Sequence, residues 1–177
     1  QDSTPERKAR SLYNWVSKNI RYVALFVGAG GYVPHEAQSI LDNRYGDCKD
    51  HVTLLEAMLR AVGIESSPAL INSDNAYKLP ELATPEVFDH VITFIPSLDL
   101  YLDSTSEFSP FGLLPSSDMH KHVVLTASGT TARTPYADVK KHFTETRTTL
   151  KLKMDGSIEG ESKSKMHGYE QITSRYY

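Results

Sequence analysis

Apolar residues recur at helical spacing in three stretches of the N-terminal part of the chain. From Pro5 to Ile20, Ala9, Leu12, Tyr13, Val16 and Ile20 alternate with Glu6, Arg7, Lys8 and Arg10 behind the start signal Ser3-Thr4-Pro5, predicting an amphipathic helix. A shorter period, His35 to Asn43 begun by Pro34, predicts a second helix with Ala37, Ile40 and Leu41 inward. Val52, Leu55, Met58, Leu59 and Val62 predict a third, stopped by Gly63. Its start reads as a capping box: Asp47 is the N-cap and Asp50 the acid three residues on. Between the first two helices, Arg21 to Val27 is β-rich and Gly28-Ala29-Gly30-Gly31 breaks it. Those glycines lack the context of a phosphate loop and read as a flexible turn.

Beyond the third helix the period changes to that of strands. Ile64 to Asn72 reads as a buried strand, and Ser73 to Glu86, with Pro80 and Pro85, as a polar loop long enough to flank a site. In Val87 to Ile95 the alternation puts Phe88, His90, Ile92 and Phe94 on one face, and the chain returns through Leu100-Tyr101-Leu102-Asp103-Ser104. If Pro96-Ser97 make the turn, His90 lies opposite Asp103; if Ser97-Leu98 or all four residues 96–99 make it, Ile92 does, and His90 is the diagonal neighbour. Either register puts His90 and Asp103 on the same face, and only an odd-length turn would separate them. Glu107 to Met119 is irregular, Val123 to Thr126 a further strand, and Ala127 to Ala137 a Ser/Thr/Gly linker with Pro135. Thr144 to Met154, Asp155-Gly156 and Ser157 to Met166 form a second hairpin, marginal on its own. The pattern predicts an α+β fold, with residues 1–137 as its core and 138–177 as a hairpin extension or the start of a truncated β-module.

Composition narrows the functional classes. With 177 residues, 40% hydrophobic, the chain can bury a real core. A net charge of -3 gives no basic surplus for nucleic acid or an anionic membrane. Apolar runs such as Tyr22 to Val27 fall well short of the ~18 residues of a spanning helix, so no membrane insertion is expected. The single cysteine excludes an internal disulfide, and a lone thiol suits a reducing compartment unless it is catalytic. A start at Gln1 without methionine and an end in the polar, aromatic run Tyr169 to Tyr177 imply a longer chain with flanking domains; Tyr169, Tyr176 and Tyr177 are assigned to an interface with that remainder.

That cysteine, Cys48, takes the first position of the third helix, where unpaired N–H groups and the positive end of the macrodipole favour a thiolate. A nucleophile so placed needs a base, and the base works best with a carboxylate holding its ring. His90 and Asp103 meet both needs. Individually each residue has a plain structural reading, as a buried thiol, a core histidine and a strand-end cap, so the triad stands as a set or not at all. A zinc reading of Cys48-x-x-His51 with His120 and His122 matches no standard module, and no metal or cofactor is expected. His35, His120, His122, His142 and His167 are assigned to the surface or to loops.

The motifs Tyr45-Gly46-Asp47-Cys48-Lys49-Asp50, Phe88-Asp89-His90-Val91 and Tyr101-Leu102-Asp103-Ser104-Thr105 resemble the transglutaminase-like superfamily. Trp15-Val16, Ile20-Arg21-Tyr22-Val23 and Gly31-Tyr32-Val33-Pro34 look like its bacterial branch found beside a domain of unknown function numbered 3857. The resemblance spans about Glu6 to Thr126. It implies a papain-like core with helices packed on an antiparallel sheet, a Cys48–His90–Asp103 triad, and acyl transfer at amide or peptide bonds of a peptide or protein substrate. It also implies a periplasmic, envelope-associated or secreted setting. It leaves the substrate open, because the superfamily includes crosslinkers, peptidases, deglycosylating amidases and silent members. The backbone N–H of Cys48 is one natural oxyanion donor, and Tyr22 is the second by resemblance only. Asp47 and His51 are site-adjacent. His51 departs from the family pattern and lies one helical turn from Cys48, where it assists the thiol, competes with His90 or faces solvent. Hydrolysis is favoured over transamidation, since excluding water needs a closed tunnel that no stretch announces. The alternative function is a silent peptide-binding or scaffolding module of a larger envelope or secreted protein.

Overall fold

The first helix begins where a threonine precedes a proline. The Thr4 hydroxyl accepts from the Arg7 N–H at 3.3 Å and Pro5 fills the first turn, starting α1 at Pro5–Asn19. In this computed structural model the described residues are 4–24, 31–81, 84–136, 138 and 140–175. The chain divides into two compact units, Gln1–Tyr136 and Ala137–Tyr177.

In the first unit, β1 (Arg21–Tyr22) runs parallel to β2 (Tyr45–Gly46), with α2 (Ala37–Asn43) between them in sequence. The strand expected over 21–27 is therefore only two residues long where it is described; Leu25 to Val27 and most of the glycine run lie outside the described residues. Helix α3 (Cys48–Ala61) follows, with the expected capping box formed on both sides, and Gly63 takes φ 78° just beyond its end. Its inward face holds Val52, Leu54, Leu55 and Leu59, while Val62 is exposed.

Strands β3 (Ser67–Ile71), β4 (His90–Ile95), β5 (Leu100–Leu102), β6 (His122–Leu125) and β7 (Thr130–Arg133) make an antiparallel sheet in the order β5-β4-β3-β6-β7. The 127–137 stretch expected to be a linker contains β7, which continues the sheet as its edge. Gly129, at φ 68°, closes the β6–β7 turn, and Ala132 packs on the apolar cluster beneath. The sheet is covered on both faces. On one, Ile95 and Leu102 meet Tyr13, Val16, Ile20, Ile40, Leu54, Leu55 and Leu59 of the helices. On the other, Ala69, Ile71, Ile92, Tyr101 and Val123 pack with Leu114. Each fully buried aliphatic side chain contributes about 1.5–3 kcal/mol, so these two clusters dominate the unit's stability. The architecture is α+β, helices packed on an antiparallel sheet.

The second unit is a hairpin of β8 (Thr144–Leu152) and β9 (Ile158–Met166), paired from Thr144↔Met166 to Leu152↔Ile158, followed by the single turn α4 (Glu170–Thr173). Hydroxyl pairs Thr146–Ser164 and Thr148–Ser162, each at 2.9 Å, run along one face, and every strand residue is exposed. The Tyr169 ring stacks on His142 at 4.9 Å; Tyr176 and Tyr177 lie outside the described residues.

Candidate active site

Helix α3 owes its start to a tight polar knot. The Asp47 carboxylate accepts from the N–H groups of Lys49 (3.1 Å) and Asp50 (3.4 Å) and pairs with the Lys49 ammonium. Asp50, fully buried, answers with a bond from the Asp47 N–H at 3.3 Å and also holds His35 through its N–H at 2.8 Å and its ring at 3.0 Å. A Cβ on Gly46 would lie 2.5 Å from the Asp50 Cβ, so only glycine admits that carboxylate beneath the turn. This knot sets Cys48 at the first helical position, partly exposed.

The sheet delivers its partners. Residues 96–99 all lie in the β4–β5 turn, and Ile95 pairs with Leu100 and Thr93 with Leu102. Of the two registers the sequence permitted, this is the one that puts Ile92 opposite Asp103 and His90 on the diagonal. His90 opens β4, Asp103 follows β5, and His90 Nε2 lies 3.2 Å from Asp103 Oδ2. The Cys48 side chain is close enough to the His90 ring to favour its charged form. With Nε2 engaged by Asp103, Nδ1 is the nitrogen left for the sulfur. Asp103 Oδ1 accepts from the Thr105 N–H (2.9 Å) and hydroxyl (2.6 Å). Its main-chain carbonyl, with that of Ser109, faces the Tyr13 hydroxyl of α1 at 3.1 and 3.0 Å.

The charges follow from these contacts. Burial alone would lower the pKa of His90, but the hydrogen bond to Asp103, the nearby Cys48 side chain and the charges of Asp103 and Asp118 outweigh it and push it up to about 11. Burial opposes ionisation of Asp103, yet the His90 bond and charge and the two Thr105 bonds hold it below the usual carboxylate range. Tyr22 is pushed up to about 12 by burial and by Cys48, Asp47 and Asp103, so its hydroxyl stays a donor. The β1–β2 bridge pairs Tyr22 with Gly46, beside the Cys48 turn, and Val23 N–H donates to the Gly46 carbonyl at 2.9 Å.

His51 takes none of the three expected roles. It is 1% exposed, its Nδ1–H donates to the Ser104 carbonyl at 2.9 Å, and burial keeps its pKa low. It ties the start of α3 to the segment just after Asp103. The zinc set of Cys48, His51, His120 and His122 is not brought together: Nε2 of His120 and of His122 faces the Arg133 guanidinium at 2.8 and 2.6 Å, and His122 lies half-buried in β6. Among the described residues the ligand-type side chains that converge are His90, Asp103 and Asp118, whose donor atoms lie within 4.8 Å of one another. Asp118 was missed by the sequence reading; it sits in a single helical turn, Ser116–Asp118, inside the stretch read as irregular, where no periodicity marks it. A cleft of about 700 Å³ opens on Tyr22, His90, Asp103, Thr105 and Asp118.

The family model described as the transglutaminase-like superfamily matches residues 1–79. Over these residues the chain is transglutaminase-like. The match takes in Tyr22 and the Cys48 turn, and the sheet that carries His90 and Asp103 follows it. No curated protein matches the chain. Among solved structures it is similar to a "putative protease" from Parabacteroides distasonis, at TM-score 0.58 and 19% identity, over 77% of this chain and 26% of that one. This likeness is one of fold, and the transglutaminase-like chain spans about a quarter of its neighbour's length.

Proposed function

We propose that this transglutaminase-like chain is a cysteine-nucleophile acyl-transfer enzyme acting on amide or peptide bonds of peptide or protein substrates. The observation that carries the reading is the position of His90, paired with Asp103 Oδ2 at 3.2 Å and within interaction reach of the Cys48 side chain. A histidine held charged beside a cysteine side chain is the arrangement such chemistry needs. The Cys48 sulfur attacks the carbonyl carbon and the π electrons move to oxygen. The resulting oxyanion is met by the Cys48 N–H, which has no acceptor within its own helix, and by the Tyr22 hydroxyl. The tetrahedral species collapses as His90 gives its proton to the departing amine, leaving a thioester. Water, deprotonated by His90, then attacks the thioester and returns the thiolate and a carboxylic acid; a second amine in place of water would give transamidation. Hydrolysis is the proposed outcome, and the solved neighbour's description as a protease runs the same way.

The test is the rate of Cys48 alkylation by iodoacetamide against pH, in wild type and in His90→Ala. The expected result is rapid labelling at about pH 6–7 in wild type that slows when His90 is removed, because the thiolate fraction sets reactivity. Labelling that rises only near pH ~8.5 and ignores His90 would sink the enzyme and leave a peptide-binding module.

A further inference from the structure

Asp118 is 1% exposed yet belongs to no element of the main sheet. Its Oδ1 is satisfied twice, by the Ser73 hydroxyl at 2.6 Å and the Ser117 hydroxyl at 3.1 Å. Its Oδ2 is buried and receives no donor. It converges with a second carboxylate, Asp103, an oxygen of each lying within 4.8 Å of the other. Both Asp103 oxygens are already acceptors, Oδ1 from Thr105 and Oδ2 from His90. Two buried carboxylates so placed repel unless one carries a proton, which turns the repulsion into a hydrogen bond.

We propose that Asp118 is a positioning residue of the site, its protonated carboxyl donating to Asp103 and so fixing the acid that orients His90. The role rests on the acyl-transfer reading above. Burial and the Asp103 charge both drive Asp118 toward its neutral form, against the opposing pull of His90 and the Ser73 bond. The other charged groups around it agree. Asp74 and Asp89 lie on the same cleft wall and add negative potential, while Lys121 is committed to the carbonyls of Ser73 and Asn75. The proton belongs on Asp118 because Asp103 is the carboxylate held ionised by His90 and by both Thr105 donors. A neutral Asp118 also spares His90 a second adjacent anion, which would bind the imidazolium's proton too firmly for release to a leaving amine.

Two measurements on the full chain test this. With ¹³C-carboxyl-labelled aspartate, NMR at about pH 5.5, above the ordinary aspartate range, should show one protonated aspartate carboxyl. That signal should vanish in Asp118→Asn and move in Asp103→Asn. In iodoacetamide labelling of Cys48, Asp118→Asn should stay within about twofold of wild type because the amide still donates, whereas Asp118→Ala should slow on the order of tenfold, the worth of one orienting hydrogen bond. Absence of a protonated aspartate, equal slowing in Asn and Ala, or no slowing in Ala each overturns the role of Asp118. Indifference of the rate to His90→Ala sinks instead the acyl-transfer reading and the positioning role with it. Loss of the proton signal with His90 dependence intact sinks Asp118 alone.

Discussion

The surroundings of His51 and of His90 treat the same imidazole in opposite ways. His51, locked in α3 with one bond to a main-chain carbonyl, is governed by burial and stays neutral. His90, at a strand start, is also desolvated, but Asp103 pairs with its Nε2, the Cys48 side chain lies near, and it is held charged. The difference teaches that burial does not decide a histidine's role here; the partner atoms do. A carbonyl fixes a tautomer and builds structure, whereas a carboxylate opposite a sulfur builds a proton carrier.

The sharpest way to break this comparison is to delete each ring. His90→Ala should cut the rate of Cys48 alkylation at neutral pH by roughly 10²–10⁴ in the fraction that stays folded, the usual worth of a positioned base. His51→Ala should do the reverse, destabilising the first unit by about 2–3 kcal/mol through a cavity and an unpaired Ser104 carbonyl, while the folded fraction keeps its reactivity. An exchange of these two outcomes would overturn the division of roles. Gly46→Ala should cost about 1–3 kcal/mol in urea unfolding, because the new methyl displaces Asp50 from the cap that both histidine neighbourhoods share. Thr105→Val should be milder, about 1 kcal/mol, since it removes the hydroxyl donor to Asp103 and leaves the backbone one.

The most diagnostic effect is read in the pH dependence of stability. His90 is raised to about 11, so the native state binds the extra proton above the ordinary value of 6.5. Its contribution is complete below 6.5 and is lost as pH rises toward 11. His51 is lowered from 6.5, so below that value the unfolded chain binds the extra proton and stability falls as the solution is acidified. His51→Asn should flatten the acid side of the profile alone and His90→Asn the alkaline side alone, measured by urea unfolding across pH.

Which parts of this were visible in the sequence follows from how local each signal is. The α3 cap was legible because Asp47, Asp50 and the apolar period are consecutive, and parity of register was enough to put His90 and Asp103 on one face without the turn being known. What escaped depends on contacts distant in sequence. β7 reads Thr-Thr-Ala-Arg, polar enough for a linker, and only Ala132 reveals the core that its pairing with β6 creates. His51 looked like a rival base because its helical spacing to Cys48 was visible and the Ser104 carbonyl that occupies it was not. Asp118 carried no signal at all, since its site is made by Ser73 and Asp103, which come from other parts of the chain.

The Tyr13 hydroxyl, resting on the carbonyls of Asp103 and Ser109, has a temporal consequence. Synthesis runs from the N-terminus, so α1 and the cysteine helix emerge long before the base and the acid. Until the chain has extended past Asp103 the pair of His90 with Asp103 cannot form, and until it has passed Ser109 the Tyr13 contact cannot close. Closing so long a loop is slow compared with forming the helices. The pairing of His90 with Asp103 thus waits on completion of the sheet, and the proposed acyl-transfer site exists only in the finished fold.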